Sequence, residues 1–119
     1  MGRQELGKYG EDLAIRYLQE KSYKIVDRNF DTKYGEIDII AKDGSELVFV
    51  EVKTRTSTDF GYPEGAINQK KLLHLERMVQ VYQQKNNIMN TPIRVDAISV
   101  DIDQYHQDFK IHHFQNIIN

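Results

Sequence analysis

Apolar residues recur at two spacings along the chain, and the changes between them predict seven secondary-structure elements. A helical repeat covers about Gln4 to Lys21, and a second covers about Ala66 to Lys85. Strand-like segments lie at residues 24–32, 36–41, 48–55, 94–101 and 110–117. The order αβββαββ predicts an α/β fold, with residues 1–119 as a single domain.

The second and third strand segments are expected to form a hairpin. Between them lies Lys42-Asp43-Gly44-Ser45, and a glycine among polar residues between two apolar runs is typical of a hairpin turn. A longer polar segment with glycine and proline, Thr56 to Gly65, predicts a loop before the second helix.

Polar residues interrupt both strands of this hairpin, and the register decides whether they meet. Opposed residues of an antiparallel pair have position numbers of constant sum and point to the same face. An odd sum, which pairs Glu51 with either Glu36 or Asp38, puts all four polar residues on one face: Glu36, Asp38, Glu51 and Lys53. The same register predicts one continuous apolar face opposite, made of Ile37, Ile39, Ala41, Val48, Val50 and Val52.

Three carboxylates on one face repel each other strongly. At a separation of roughly 5 Å, each pair costs about 3 kcal/mol at an effective dielectric constant near 20. A single lysine cannot offset this repulsion, whereas a divalent cation such as Mg²⁺ or Mn²⁺ could, because both ions prefer oxygen ligands. The pattern therefore indicates a metal site.

Glu11 is a further candidate in the first helix. Gly7 and Gly10 flank it on the N-terminal side, and each lowers helix propensity by up to about 1 kcal/mol relative to alanine. Small residues allow a helix to approach a sheet closely, which would bring Glu11 over the polar residues. The alternative is that Glu11 is a solvated helix residue.

The Glu51-Val52-Lys53 unit suits phosphate chemistry. Residues two apart on a strand project in parallel, so Glu51 could hold a metal while Lys53 reaches a water or a phosphate oxygen. The backbone carbonyl of Val52 would be a further ligand. Taken alone, this unit also fits a surface ion pair.

Composition narrows the class of protein. The chain has 119 residues and no cysteine, which excludes disulfides and thiolate metal sites. It has neither a signal-peptide pattern nor a run of roughly 20 apolar residues, so a cytoplasmic location away from the membrane is expected. The formal charge of −2 permits a nucleic-acid partner without indicating one.

Three motifs together resemble a known family. They are Gly7-x-x-Gly10-Glu11, Gly35-Glu36-Ile37-Asp38-Ile39-Ile40-Ala41 and Phe49-Val50-Glu51-Val52-Lys53-Thr54-Arg55. They are similar to those of the YraN-like family of uncharacterised bacterial proteins, in the PD-(D/E)XK nuclease-like superfamily, to which archaeal Holliday-junction resolvases are distantly related. The resemblance covers nearly the whole chain.

The resemblance implies a restriction-endonuclease-like core, a central mixed five-stranded sheet flanked by helices. It also implies a Mg²⁺-dependent deoxyribonuclease that hydrolyses phosphodiesters of structured or branched DNA. Mg²⁺ or Mn²⁺ would bind Asp38, Glu51 and the Val52 carbonyl, Lys53 would be the motif lysine, and Glu11 would match the helical acidic residue. For Glu36, a second metal, a water-positioning role and an ion pair all remain open.

Residues near the predicted site could contact DNA phosphates. Arg55 and Thr56 follow the third strand, and Gln69, Lys70 and Lys71 lie near the start of the second helix. Solvated loop and helix surfaces explain them equally well. Two neighbours on a strand, His112 and His113, face opposite ways and should not share a metal, while Asp96 is expected to be a hydrogen-bonded strand residue.

Three functions are therefore compared. The first is the metal-dependent nuclease, which would need a homodimer to cut both strands of a junction. The second is a nuclease-like module that binds nucleic acid or protein without cleavage. The third is a structural carboxylate cluster neutralised by lysine and arginine.

Overall fold

The two helical repeats form α1 (Arg3–Glu20) and α2 (Gln69–Asn86) in the computed structural model, which describes residues 2–56 and 68–118. The strands are β1 (Lys24–Thr32), β2 (Gly35–Asp43), β3 (Glu46–Thr56), β4 (Ile93–Asp103) and β5 (Asp108–Phe114). The predicted order αβββαββ is confirmed. Within the described ranges, neither helix is long and apolar enough to cross a membrane.

The five strands form one mixed sheet in the order β1-β2-β3-β4-β5. All neighbours are antiparallel except β3 and β4, which are parallel. A parallel pair needs a long crossover, and α2 lies in the chain between these two strands. The architecture is consistent with a restriction-endonuclease-like fold, as the family resemblance of the motifs implied.

The helices cover opposite faces of the sheet. Leu13, Ala14 and Leu18 of α1 pack on one face, over a set that includes Val48 and Val50. On the other face, the α2 residues Leu75, Met78, Val79 and Tyr82 pack over Leu47 and Phe49. Successive residues of β3 are therefore buried on alternate faces, which explains its nearly continuous apolar run.

The predicted apolar face is confirmed except at Ile37, since its other members pack together beneath α1: Ile39, Ala41, Val48, Val50 and Val52. The opposite face is not polar throughout, because Ile40 and Phe49 are buried there beneath α2. Ile37 packs in the core beneath α2, whereas Ile39 packs in the core beneath α1. Ile37 and Ile39 are two apart on β2 and would share a face in a regular strand. They reach opposite faces because the β1–β2 pairing is irregular between them. Asn29, which the β1–β2 register puts opposite Asp38, has a left-handed backbone with φ 54°.

The hairpin prediction is confirmed. Gly44, with φ 63°, lies in the turn between the paired residues Asp43 and Glu46. The β2–β3 register pairs Ile39 with Val50, which is one of the two odd registers favoured by the sequence. This ladder ends at that pair although both strands continue, so a gap in the backbone hydrogen bonding begins at Asp38.

Two predicted boundaries differ from the structure. The last strand ends at Phe114 rather than at Ile117, because Asn116 has φ 56° and gives its N–H to the Asp96 carboxylate. The predicted loop 56–65 lies outside the described residues, except that Thr56 belongs to β3. Ala66 also lies outside them, and Asn68 caps α2 by accepting the N–H of Lys71.

A buried polar network joins β4, β5 and α1. Asp96 is fully buried, and its carboxylate contacts Arg94, His113 Nε2 at 2.7 Å and the Asn116 N–H. Burial alone would raise the pKa of Asp96, but these hydrogen bonds hold it below its ordinary value. His112 instead lies near Asp101, so both the expectation for Asp96 and the opposite directions of the two histidines are confirmed.

The Tyr17→Phe variant should lose about 1 kcal/mol of unfolding free energy, because the Tyr17 hydroxyl lies 3.1 Å from His113 Nδ1 and its removal leaves that nitrogen unpaired. Urea denaturation of this variant against Tyr9→Phe measures the loss. Tyr9 is 39% exposed on the same helix and serves as the control. Equal midpoints for the two variants would contradict the role given to this hydrogen bond.

Candidate active site

Three carboxylates from two elements meet at the gap between β2 and β3. Ligand oxygens of Glu11 on α1 and of Glu36 and Asp38 on β2 all lie within 4.8 Å of one another. We call Glu11, Glu36 and Asp38 the carboxylate trio. The structure thus brings together three of the acidic residues that the sequence singled out.

Gly10 allows Glu11 to reach this position. It is buried against β3, and a Cβ atom at residue 10 would clash with the side chain of Thr54, coming within 2.8 Å of its Cβ and Cγ2. Gly7 has open space around it and shows no such contact. The close approach of helix and sheet expected from the sequence therefore depends on Gly10.

Asn29 links two members of the trio, and sequence reasoning missed it. Its Nδ2 donates to Glu11 Oε1 at 3.0 Å and to Glu36 Oε1 at 2.8 Å. Its left-handed backbone, tolerated by asparagine better than by most residues, puts it beside the trio. The available signal was an asparagine inside a strand pattern, where that residue type is depleted.

Asp38 is the most strongly perturbed member. Its Oδ2 accepts the backbone N–H of Val52 at 2.7 Å, across the gap where the β2–β3 ladder has ended. Burial raises the pKa of Asp38 from 3.8 to about 8, and the charge of Glu51 adds to the rise. The Val52 hydrogen bond opposes this rise, while Glu11 and Glu36 contribute further to it.

Glu51 is adjacent to the trio but is paired elsewhere. It alternates along β3 with Val50, which packs beneath α1, and its carboxylate accepts from Lys71 Nζ of α2 at 2.8 Å. Its side chain is only 12% exposed. Glu51 therefore lies close enough to Asp38 for its charge to raise the Asp38 pKa more than Glu11 or Glu36 does, while its own carboxylate is engaged by Lys71.

Of the other predicted site residues, Val52, Lys53, Arg55 and Thr56 line one groove together with Glu11. Val52 is half-buried, and Lys53 is exposed, two positions beyond Glu51. Arg55 lies 3.5 Å from Asp101, and Thr56 is exposed at the end of β3. Gln69 and Lys70 are exposed in the first turn of α2, where Lys71 makes its ion pair with Glu51.

The chemistry of the trio fits a hard divalent cation. Three carboxylates supply oxygen ligands, and the raised pKa of Asp38 indicates that its charged form is unfavourable without a compensating cation. Asn29 donates to two of the carboxylates without neutralising them, and Arg28 lies 3.6 Å from Glu11 but closer, at 3.0 Å, to Asp12. Glu11, Glu36 and Asp38 are accordingly the residues that would hold Mg²⁺ or Mn²⁺, with Glu51 and the Val52 carbonyl beside them.

Comparisons with a family model and with individual known proteins identify the same family. Residues 10–100 match the model of the uncharacterised protein family UPF0102. A UPF0102 protein of Carboxydothermus hydrogenoformans is 42% identical over 119 residues, covering 100% of this chain and 99% of its own. UPF0102 proteins of Clostridioides difficile and Thermodesulfovibrio yellowstonii are 43% and 46% identical over 116 residues, covering 98% of this chain in both cases and 98% and 97% of their own lengths. The chain therefore belongs to the UPF0102 family, the YraN family that its motifs resemble.

Proposed function

We propose that this protein is a metal-dependent deoxyribonuclease that hydrolyses phosphodiester bonds of branched or otherwise structured DNA. The observation that carries the proposal is Asp38, a carboxylate with a pKa near 8 that lies among three other carboxylates at the open end of a strand pair. A strongly perturbed acid at such a place is a candidate functional group. The PD-(D/E)XK resemblance of the motifs supports the same chemistry.

In this proposal different residues of the chain have different roles. Glu11, Glu36 and Asp38 would hold Mg²⁺ or Mn²⁺, and Glu51, which pairs with Lys71, would be a further oxygen ligand beside them. The bound ion supplies Lewis-acid activation of the scissile phosphate and of a water molecule. Lys53, exposed in a groove that Glu11 also lines, would orient that water or stabilise the charge that develops on phosphate. Cutting both strands of a junction would require a homodimer.

A second candidate is a nuclease-like module that binds nucleic acid or protein without cleaving. The Glu51–Lys71 ion pair favours it, because a lysine already neutralises one of the carboxylates proposed to take part in metal binding. The chain's formal charge of −2 also gives no strong general attraction to DNA.

Incubation with linear, flayed and branched DNA in Mg²⁺ or Mn²⁺ separates the two functions. We expect cleavage by the wild type and none by Glu51→Ala or Lys53→Ala, since a metal-site neighbour or the positioned cation is then missing. Lys42→Ala is the matched control, an exposed lysine on the same sheet. Cleavage that survives both site substitutions would overturn the proposed site, and binding without cleavage by the wild type would favour the second candidate.

A further inference from the structure

An open groove of about 690 Å³ adjoins the carboxylate trio. Its walls are the N-terminal part of α1, including Arg3, and the end of β3 from Val52 to Thr56. Glu11 belongs both to this groove and to the trio. The groove is therefore continuous with the candidate metal site.

The charge of the groove differs from that of the whole chain. Three cationic residues line it, Arg3, Lys53 and Arg55, against the single acidic residue Glu11. Within residues 2–56 and 68–118, neither Arg3 nor Lys53 makes an ion pair. A groove with this excess of positive charge complements an anion, although the complete sequence is acidic.

Arg55 is held near Asp101, but its hydrogen-bonding capacity is only partly satisfied. Its Nε lies 3.5 Å from Asp101 and, among the described residues, is buried without a hydrogen-bond partner. The Arg55 side chain as a whole remains 25% exposed. Thr56 adds a hydroxyl at the same end of the groove.

Lys71 on α2 differs from the groove cations Arg3 and Lys53, because it lies on another helix and already makes an ion pair. Lys71 is engaged by Glu51, and α2 covers the opposite face of the sheet from α1. A DNA strand that reached the trio across α2 would have to compete with this ion pair. The groove along α1, in contrast, leads directly to Glu11.

We propose that this groove binds the sugar-phosphate backbone of a DNA strand, with Arg3 and Arg55 contacting phosphates that flank the phosphate at the trio. This inference rests on the proposed function and deepens it by defining the path of the strand. Contacts of this kind orient the nucleic acid without reading its sequence, and they make binding salt-dependent.

The test compares Arg3→Glu with Arg16→Glu by fluorescence anisotropy, using a labelled branched DNA in EDTA at several salt concentrations. Both arginines are exposed residues of α1, but Arg16 is outside the groove, so the two charge reversals are matched. Arg3 lies in the first turn, where a glutamate is compatible with the helix dipole, so folding should be retained. We expect Arg3→Glu to weaken binding about tenfold more than Arg16→Glu and to reduce the salt slope by about one.

The outcomes distinguish the groove from the catalytic proposal. Equal binding by the two variants, or no DNA binding by the wild type, would overturn the groove. Selective weakening by Arg3→Glu in a wild-type protein that cuts no DNA would support the groove and sink the proposed hydrolysis. Cleavage by both variants at equal rates and with equal affinity would support the proposed hydrolysis and overturn the groove.

Discussion

The Asp38→Asn variant should be more stable than the wild type at neutral pH without metal, and it should no longer respond to Mg²⁺ or Mn²⁺. The substitution removes an acidic group whose charged form is disfavoured by burial and by neighbouring carboxylates. The asparagine Oδ1 can still accept the Val52 N–H, so the local structure keeps its hydrogen bond. We expect a gain of a few kcal/mol, with about 4 kcal/mol as the upper limit at pH 7 for a pKa near 8 instead of 3.8.

The pH dependence has a definite sign. Between pH 4 and pH 8, Asp38 loses its proton in the unfolded chain but keeps it in the folded protein. The wild type therefore loses stability as the pH rises through this window, and the loss attributable to Asp38 is complete above about pH 8. The stability of Asp38→Asn should decline less over the same range. Chemical denaturation at several pH values in EDTA measures the difference.

Metal should reduce the difference in stability between the two proteins. Millimolar Mg²⁺ or Mn²⁺ should raise the thermal midpoint of the wild type, because a ligand that binds only the folded state stabilises it. Asp38→Asn should show no such rise. Glu76→Gln, which removes one exposed negative charge on α2, should behave like the wild type.

Two results would contradict this account. A large loss of stability in Asp38→Asn without metal would favour a structural cluster in which the carboxylate is needed as an internal ion-pair partner. An unchanged midpoint of the wild type with either ion would remove the support for a metal site.

The Gly10→Ala variant should be destabilised by about 3 kcal/mol or more, despite the better helix propensity of alanine. The added Cβ would meet the Thr54 side chain, including its branched Cβ, so no rotation of the threonine removes the clash completely. Helix α1 must then move away from β3 and take Glu11 with it. Metal-dependent stabilisation should weaken together with folding, as thermal denaturation with and without Mn²⁺ would record.

Gly7→Ala is the matched control on the same helix. No atom lies within 4 Å of the Cβ position there, so the substitution should be neutral or stabilise the protein by up to about 1 kcal/mol. Adding Thr54→Gly to Gly10→Ala should recover part of the loss, because the contact partner is removed. If Gly10→Ala matches Gly7→Ala, the close approach of α1 to β3 does not govern Glu11.

Much of the fold could be predicted because periodicity alone specifies which residues must be buried. The alternation in β3 and the glycine turn at Gly44 led to the hairpin and its odd register, both of which the structure contains. The end of β5 could not be predicted in this way. It depends on Asp96, a residue 20 positions earlier in the chain, whose carboxylate takes the N–H of Asn116.

The candidate site was only partly predictable. Register arithmetic assumed that the faces alternate without interruption, but the left-handed Asn29 opposite Asp38 breaks the alternation between Ile37 and Ile39. The side-chain amide that joins Glu11 to Glu36 and the lysine that engages Glu51 come from β1 and α2, which lie outside the β2–β3 hairpin. Hairpin geometry contains no information about contacts from those elements.

The sequence by itself determined the order of elements, the β2–β3 hairpin and the set of acidic residues, because these follow from local spacing and residue chemistry. Only the tertiary structure decided which acids meet. Gly10 allows α1 to come close enough to β3 for Glu11 to join Glu36 and Asp38. The packing of α2 on the sheet brings Lys71 into an ion pair with Glu51. The physical reason is that carboxylate repulsion and ion pairing depend on distances of a few ångströms, which are set by packing between distant segments of the chain.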